Sequence, residues 1–223
     1  MERLSLRIQE IQDQLNKNWQ KYKKQKALAC NQFRIGDQQH YAFSCNIDPE
    51  GRLKDAEFYP MADSDKATLI DVIFVTWLNM SIGKELGQLE KVSFREIESY
   101  LRDQNNQRAF PTEELSDQEG QLLLGVIMQK VMTSILLSRP LKKPLPQALE
   151  DFSSSALVPQ LAFFQEIFHA SVSPEEARLV HFQGNQLVIF QKIMGTYAIA
   201  VQHFLQKLLE KEFRLKHFKI VAE

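Results

Sequence analysis

The change of hydrophobic period between residues 33 and 60 constrains this chain most. Tyr41, Phe43, Cys45 and Ile47 alternate with other residues, which places all four on one face of a strand. Asp48-Pro49-Glu50-Gly51 then joins a proline-fixed φ to a glycine that accepts positive φ. The strand is therefore expected to return through Arg52 to Pro60 as an antiparallel hairpin, with a third strand near Arg34. Helical spacing lies on both sides. Before it, Leu4, Ile8, Ile11, Leu15, Trp19 and Tyr22 recur at steps of three or four and form the stripe of an N-terminal amphipathic helix within residues 1–30. The lysines at 17, 21, 23, 24 and 26 read as a solvated helix end whose cations suit the C-terminal dipole.

After the hairpin, Asp63-Ser64-Asp65 offers N-cap oxygens to a core helix carrying Leu69, Ile70, Ile73, Phe74, Trp77 and Leu78. Ser93 and Glu96 have capping-box spacing, with Val92 and Ile97 placed as a hydrophobic staple, and this helix is expected to run to about Asp103. Ser116 and Glu119 repeat the spacing before a stripe through Leu122, Leu123, Val126, Ile127, Val131, Ile135 and Leu136. The fold class is thus α+β, a small antiparallel sheet packed by helices over residues 31–138.

Three of the eight prolines fall in residues 139–146, where they disfavour helix, and the main linker is placed there. Residues 147–223 are expected to be a helical C-terminal region. Leu157 to Phe168 is apolar, Ser173-Pro174-Glu175-Glu176 reads as a helix start, and Gly184-Asn185 as a break. A final helix over residues 186–213 would be about 42 Å long at 1.5 Å per residue. A hairpin around Gly184-Asn185 is the alternative for residues 179–190.

Composition excludes several functions. With 44% hydrophobic and 25% charged residues the chain can bury a core, and a formal net charge of −1 gives no global drive toward nucleic acid or an anionic membrane. The first residues lack a secretory apolar run, and Leu69 to Ile82 is shorter than a bilayer span, so a cytoplasmic protein is expected. Cys30 and Cys45 are too few for a disulfide scaffold or a four-thiolate site. The histidines at 40, 169, 181, 203 and 217 form no His-x-x-x-His pair, and no phosphate-binding loop or nucleophile elbow occurs.

Residues 33–137 resemble the iron-sulfur cluster assembly scaffold family of the NifU N-terminal or IscU type. The resemblance runs through Ile35-Gly36-Asp37, Asn46-Ile47-Asp48, Glu50-Gly51-Arg52-Leu53-Lys54-Asp55-Ala56-Glu57-Phe58 and Gly83-Lys84-Glu85-Leu86. It implies a small antiparallel sheet packed by helices, and a ligand set of three cysteines and an aspartate, thiolates being soft donors for iron and zinc. Here the three cysteine positions fall on Ile35, Ala62 and Glu119, and Asp37 alone matches as a weak metal candidate. Asp37 is more readily a turn carboxylate, Glu119 the capping-box partner of Ser116, and Cys45 a small buried hydrophobe.

These residues lead to an expectation of a non-catalytic protein-interaction module on a degenerate scaffold-like fold, with no cofactor and a protein partner. The alternative is iron-sulfur assembly or metal handling in which Cys30, Cys45 or Asp37 joins a site completed by a partner. Tyr197, Val201, Phe204, Leu205 and Leu208 on the last helix are the expected interaction residues, with a homodimer as the leading form of association.

Overall fold

A computed structural model describes residues 4–25, 31–35, 39–48, 50–60, 67–104, 107–147 and 157–223. The protein is mixed α+β and divides into two compact units, Met1–Val131 and Met132–Glu223. The division lies inside a helix rather than at the prolines of residues 139–146, which belong to the second unit.

In the first unit, α1 (Leu6–Gln25) precedes an antiparallel sheet of β1 (Asn31–Ile35), β2 (Gln39–Ile47) and β3 (Leu53–Pro60) in the order β1-β2-β3. The hairpin forms at the expected turn. Gly51, at φ +82°, donates its N–H to the Asp48 carbonyl at 2.9 Å, and the Asp48 carboxylate accepts from Arg52 N–H at 2.8 Å. Phe43 stands opposite Phe58, and both are buried against Phe74 of α2 (Leu69–Ser81). The Phe74 ring lies 4.6 Å from Phe58, 6.3 Å from Phe43 and 6.1 Å from Trp77, so four aromatic side chains share one core. A bulge between Asn46 and Ile47 ends the strict alternation and leaves Ile47 exposed.

Local capping boxes start three of the helices. α2 is capped by Thr68, whose reciprocal partner is Asp71, so the helix does not start from the expected residues 63–65, which lie outside the described residues. Ser93 and Glu96 cap α3 (Phe94–Leu101) reciprocally, and Val92 and Ile97 are both buried as a staple requires. A short 3-10 helix over Leu86–Lys91 joins α2 to α3. α4 (Asp117–Ser138) begins at the Ser116/Glu119 box and crosses from the first unit into the second.

The N-terminal helix packs within the first unit, against β3 and α2. Ile8 and Leu15 are fully buried, and the Asp103 carboxylate, from the loop after α3, accepts from Leu6 N–H at 2.6 Å and Arg7 N–H at 3.2 Å. An acid at a helix N-terminus satisfies orphan donors and the dipole together, so α1 belongs to the first unit.

Two glycines of α4 give opposite expectations. A Cβ at Gly120 would come within 2.3–2.6 Å of atoms of the buried Phe94 ring, itself stacked on Phe110 at 5.6 Å, whereas a Cβ at Gly125 meets nothing within 4 Å. Gly125→Ala should stabilise by about 0.5–1 kcal/mol through helix propensity. Gly120→Ala should destabilise by about 1–3 kcal/mol, because overpacking outweighs that gain. Urea midpoints of the two variants check the signs.

The second unit corrects the expected all-helical C-terminal region. After α5 (Leu157–Ser171) come β4 (Arg178–Gln183), β5 (Gln186–Phe190), α6 (Gly195–Glu212) and β6 (Lys219–Ala222). The strands form a sheet of order β4-β5-β6, with β4 antiparallel and β6 parallel to β5. Gly184-Asn185 is the hairpin turn, and Leu187 and Ile189 alternate inward, a period of two that no helix reproduces. The last helix therefore has 18 residues rather than 28, about 27 Å at 1.5 Å per residue. Ser173 and Glu176 do exchange capping hydrogen bonds, yet they close a single turn before β4. The core gathers Phe164, Phe168, Leu187, Ile189, Val201, Phe204 and Leu205, with Phe164 edge-on to Phe182 at 5.6 Å and to Phe218 at 5.0 Å.

Candidate functional site

The densest polar constellation is the Glu176 carboxylate in the second unit. Its turn aims it inward because Ser173 N–H donates to Oε2 at 2.6 Å while Glu176 N–H donates to Ser173 Oγ at 3.2 Å. Arg139 grips it with two hydrogen bonds, Nη1 to Oε1 at 3.0 Å and Nη2 to Oε2 at 3.2 Å, and Tyr197 donates its hydroxyl to Oε1 at 2.6 Å. Arg139 also donates to the Ser171 carbonyl at 2.9 Å and lies over the Phe204 ring at 5.8 Å. The side chains are only 12% and 24% exposed for Glu176 and Arg139.

Burial alone would raise the Glu176 carboxyl, but the Arg139 guanidinium, the Tyr197 hydroxyl and the Ser173 N–H outweigh it and hold it down to about 2. Burial first, then the Glu176 charge, pushes the Tyr197 phenol up. Neither group exchanges a proton readily near neutrality, so the network is chemically quiet and works as a latch among residues 139–142, 171–176 and α6. Lys142 N–H, donating to the Ala170 carbonyl at 2.8 Å, ties the proline segment down at the same place.

In the first unit, the buried Glu98 accepts from Ala109 N–H at 2.7 Å and from Arg102 Nε at 2.6 Å, which closes the loop after α3. The buried Asp71 bonds Thr68 through Oδ2, while its Oδ1 and the Thr76 Oγ1 have no partner. Burial raises the Asp71 carboxyl despite its Thr68 bonds. Thr76 lines a cavity of about 260 Å³ with Ile11, Leu15, Val75, Asn79 and Tyr100, a lining without a nucleophile and base.

The residues singled out from the sequence do not converge. Ile35 ends β1 opposite Gln39, while Asp37, Ala62 and Cys30 lie outside the described residues. Glu119 Oε2 accepts from Ser116 N–H at 3.0 Å and Ser116 Oγ at 2.6 Å, bonds that lower its pKa, so its carboxylate is committed to the cap. Cys45 is half-buried on β2 opposite Ala56. Isoleucine and alanine offer no donor atoms, and among the described residues no three His, Cys, Asp or Glu side chains gather to hold a metal. The residues present do not fit an iron-sulfur cluster of the family's kind.

The expected interaction residues Tyr197, Val201, Phe204, Leu205 and Leu208 are 7%, 0%, 2%, 0% and 7% exposed, so the α6 stripe is covered within the chain itself. By length and composition α4 is long and apolar enough to cross a membrane, and 50% of its most apolar window is buried.

What the second unit leaves open is the outer face of its sheet. Opposite the inward Phe182, Leu187, Ile189 and Ile220, the register sets three cross-strand rows: Gln183, Gln186 and Lys219; His181, Val188 and Val221; Arg178 and Phe190. Val180 sits at a bulge between Leu179 and His181 and is 45% exposed, and Val221 is 41% exposed. Arg178 lies 4.8 Å from the Phe190 ring centroid. No sequence signal marked this face, since its rows become legible only once the 178–190 hairpin and its pairing to β6 are known.

No family model, no curated protein and no solved structure matches this chain. The iron-sulfur-scaffold reading therefore stands on the sequence residues quoted for it.

Proposed function

We propose that the protein is a non-catalytic interaction module, its first unit a degenerate relative of the iron-sulfur scaffolds, and that it acts in the cytoplasm by binding another protein. The observation that carries the reading is the donor set: Ile35 and Ala62 stand where thiolates would be required, and Glu119 is engaged by Ser116. The quietness of the Glu176–Tyr197 network supports it, because these two groups, strongly displaced among the described residues, hold each other in unreactive states.

Anaerobic reconstitution with ferrous iron, sulfide and a thiol reductant tests the cluster arm. No visible charge-transfer band should persist after desalting; a persistent band with stoichiometric iron and sulfide would overturn the reading in favour of cluster assembly. Affinity capture from native extract tests the other arm, and a chain that retains no protein at physiological salt would count against the module.

A further inference from the structure

The outer face of the β4-β5-β6 sheet carries an inference that rests on the interaction reading and names the partner's chemistry. A two-layer fold needs only one face of a sheet buried; α5 and α6 pack on this sheet, and on its outer face Val180 and Val221 are left exposed. Val188 lies half-buried on the central strand in one row with His181 and Val221, Val180 and Val221 are exposed on the two flanking strands, and Arg178 and Lys219 stand toward opposite ends of the face, with Glu223 following β6. An apolar centre with a charged border is the arrangement of a recognition patch.

Both edges of this sheet are guarded. On β6 the Gln206 carboxamide accepts from Ile220 N–H at 3.2 Å and donates to the Phe218 carbonyl at 2.9 Å, standing where a fourth strand would pair. On β4 the bulge at Val180 interrupts the edge. Strand addition is thereby disfavoured, and the open face is the available surface. At strand spacings of about 4.8 Å and rises of about 3.3 Å per residue, three strands of five residues present roughly 14 by 17 Å. That is well below the roughly 800 Å² per partner of a standard interface, so it suits a single element rather than a globular surface. Nucleic acid is disfavoured, since Phe190 is already covered by Arg178 and valines offer no stacking platform.

We propose that this face binds an acidic amphipathic helix of a partner protein, its apolar stripe on Val180, Val188 and Val221 and its carboxylates toward Arg178 and Lys219. About 11 residues of helix span the face. The probe is a fluorescein-labelled synthetic helix of about 14 residues, with leucine on one stripe and glutamate beside it, titrated with the full chain by fluorescence anisotropy. Binding should saturate, weaken at least about tenfold when the glutamates are replaced by lysines, and weaken similarly in Arg178→Glu/Lys219→Glu. Val221→Glu, checked for retained circular dichroism, gives the same loss without touching either cation. Equal affinity for the two peptides, or affinity unchanged in these variants, overturns the proposal. So does tighter binding of an oligo-dT strand that the double variant abolishes. If the peptide fails while affinity capture still retains protein on the double variant, the face is refuted and the interaction reading survives.

Discussion

Arg139→Ala should destabilise the second unit by about 3 kcal/mol, because it leaves the buried Glu176 carboxylate without its guanidinium. Hydrogen exchange of the amides in α6 is the suitable measurement, since both tryptophans, Trp19 and Trp77, lie in the first unit. The charge also fixes the pH dependence. Glu176 titrates at about 2 in the folded protein against an ordinary 4.5. A depressed folded value means that the unfolded chain takes the proton first, so the contribution is complete above about 4.5 and is lost as pH falls toward 2. The displacement corresponds to about 3 kcal/mol. The stability difference between wild type and Glu176→Gln should therefore close over that window; a difference that stays constant from pH 5 to about 2 would show that shape, not charge, holds the latch.

Phe74→Ala should cost the first unit about 4 kcal/mol. The ring is wholly buried among Phe43, Phe58 and Trp77, so truncation removes transfer energy, leaves a cavity and breaks three aromatic contacts at once. Urea unfolding followed by tryptophan fluorescence reads the loss, and a shift equivalent to less than about 1 kcal/mol would mean that the neighbouring side chains collapse into the space.

What was legible in the sequence was local. The Ser93/Glu96 and Ser116/Glu119 boxes, the Val92/Ile97 staple and the turn at Asp48 to Gly51 each depend on residues within a few positions, and each forms. Thr68 and Asp71 have the same reciprocal bonds, but the richer cluster at residues 63–65 drew the expected cap upstream. The 179–190 segment was ambiguous because Leu187 and Ile189 fit a strand while Val188, Ile189 and Ile193 also fit a helix; pairing with β6, some thirty residues away, decides it. The latch was invisible for the same reason. Arg139 and Glu176 are 37 residues apart, and Tyr197 looked like one more apolar position on α6. Proline content marked residues 139–146 as a linker, whereas the Lys142 bond to Ala170 and the Arg139 grip on Glu176 hold their start in place.

The division of the chain within α4 has a consequence for inheritance. Most domain borders are places where a gene can be cut and rejoined, because the backbone there is bonded to water and loses nothing. Between Val131 and Met132 the backbone lies inside the hydrogen-bonded ladder of a 22-residue helix. A break there would orphan about four carbonyls on one side and about four N–H groups on the other. A cut at that border should therefore cost each unit part of one helix, and either unit produced alone should fold better with the whole of residues 117–138 than when cut at Val131.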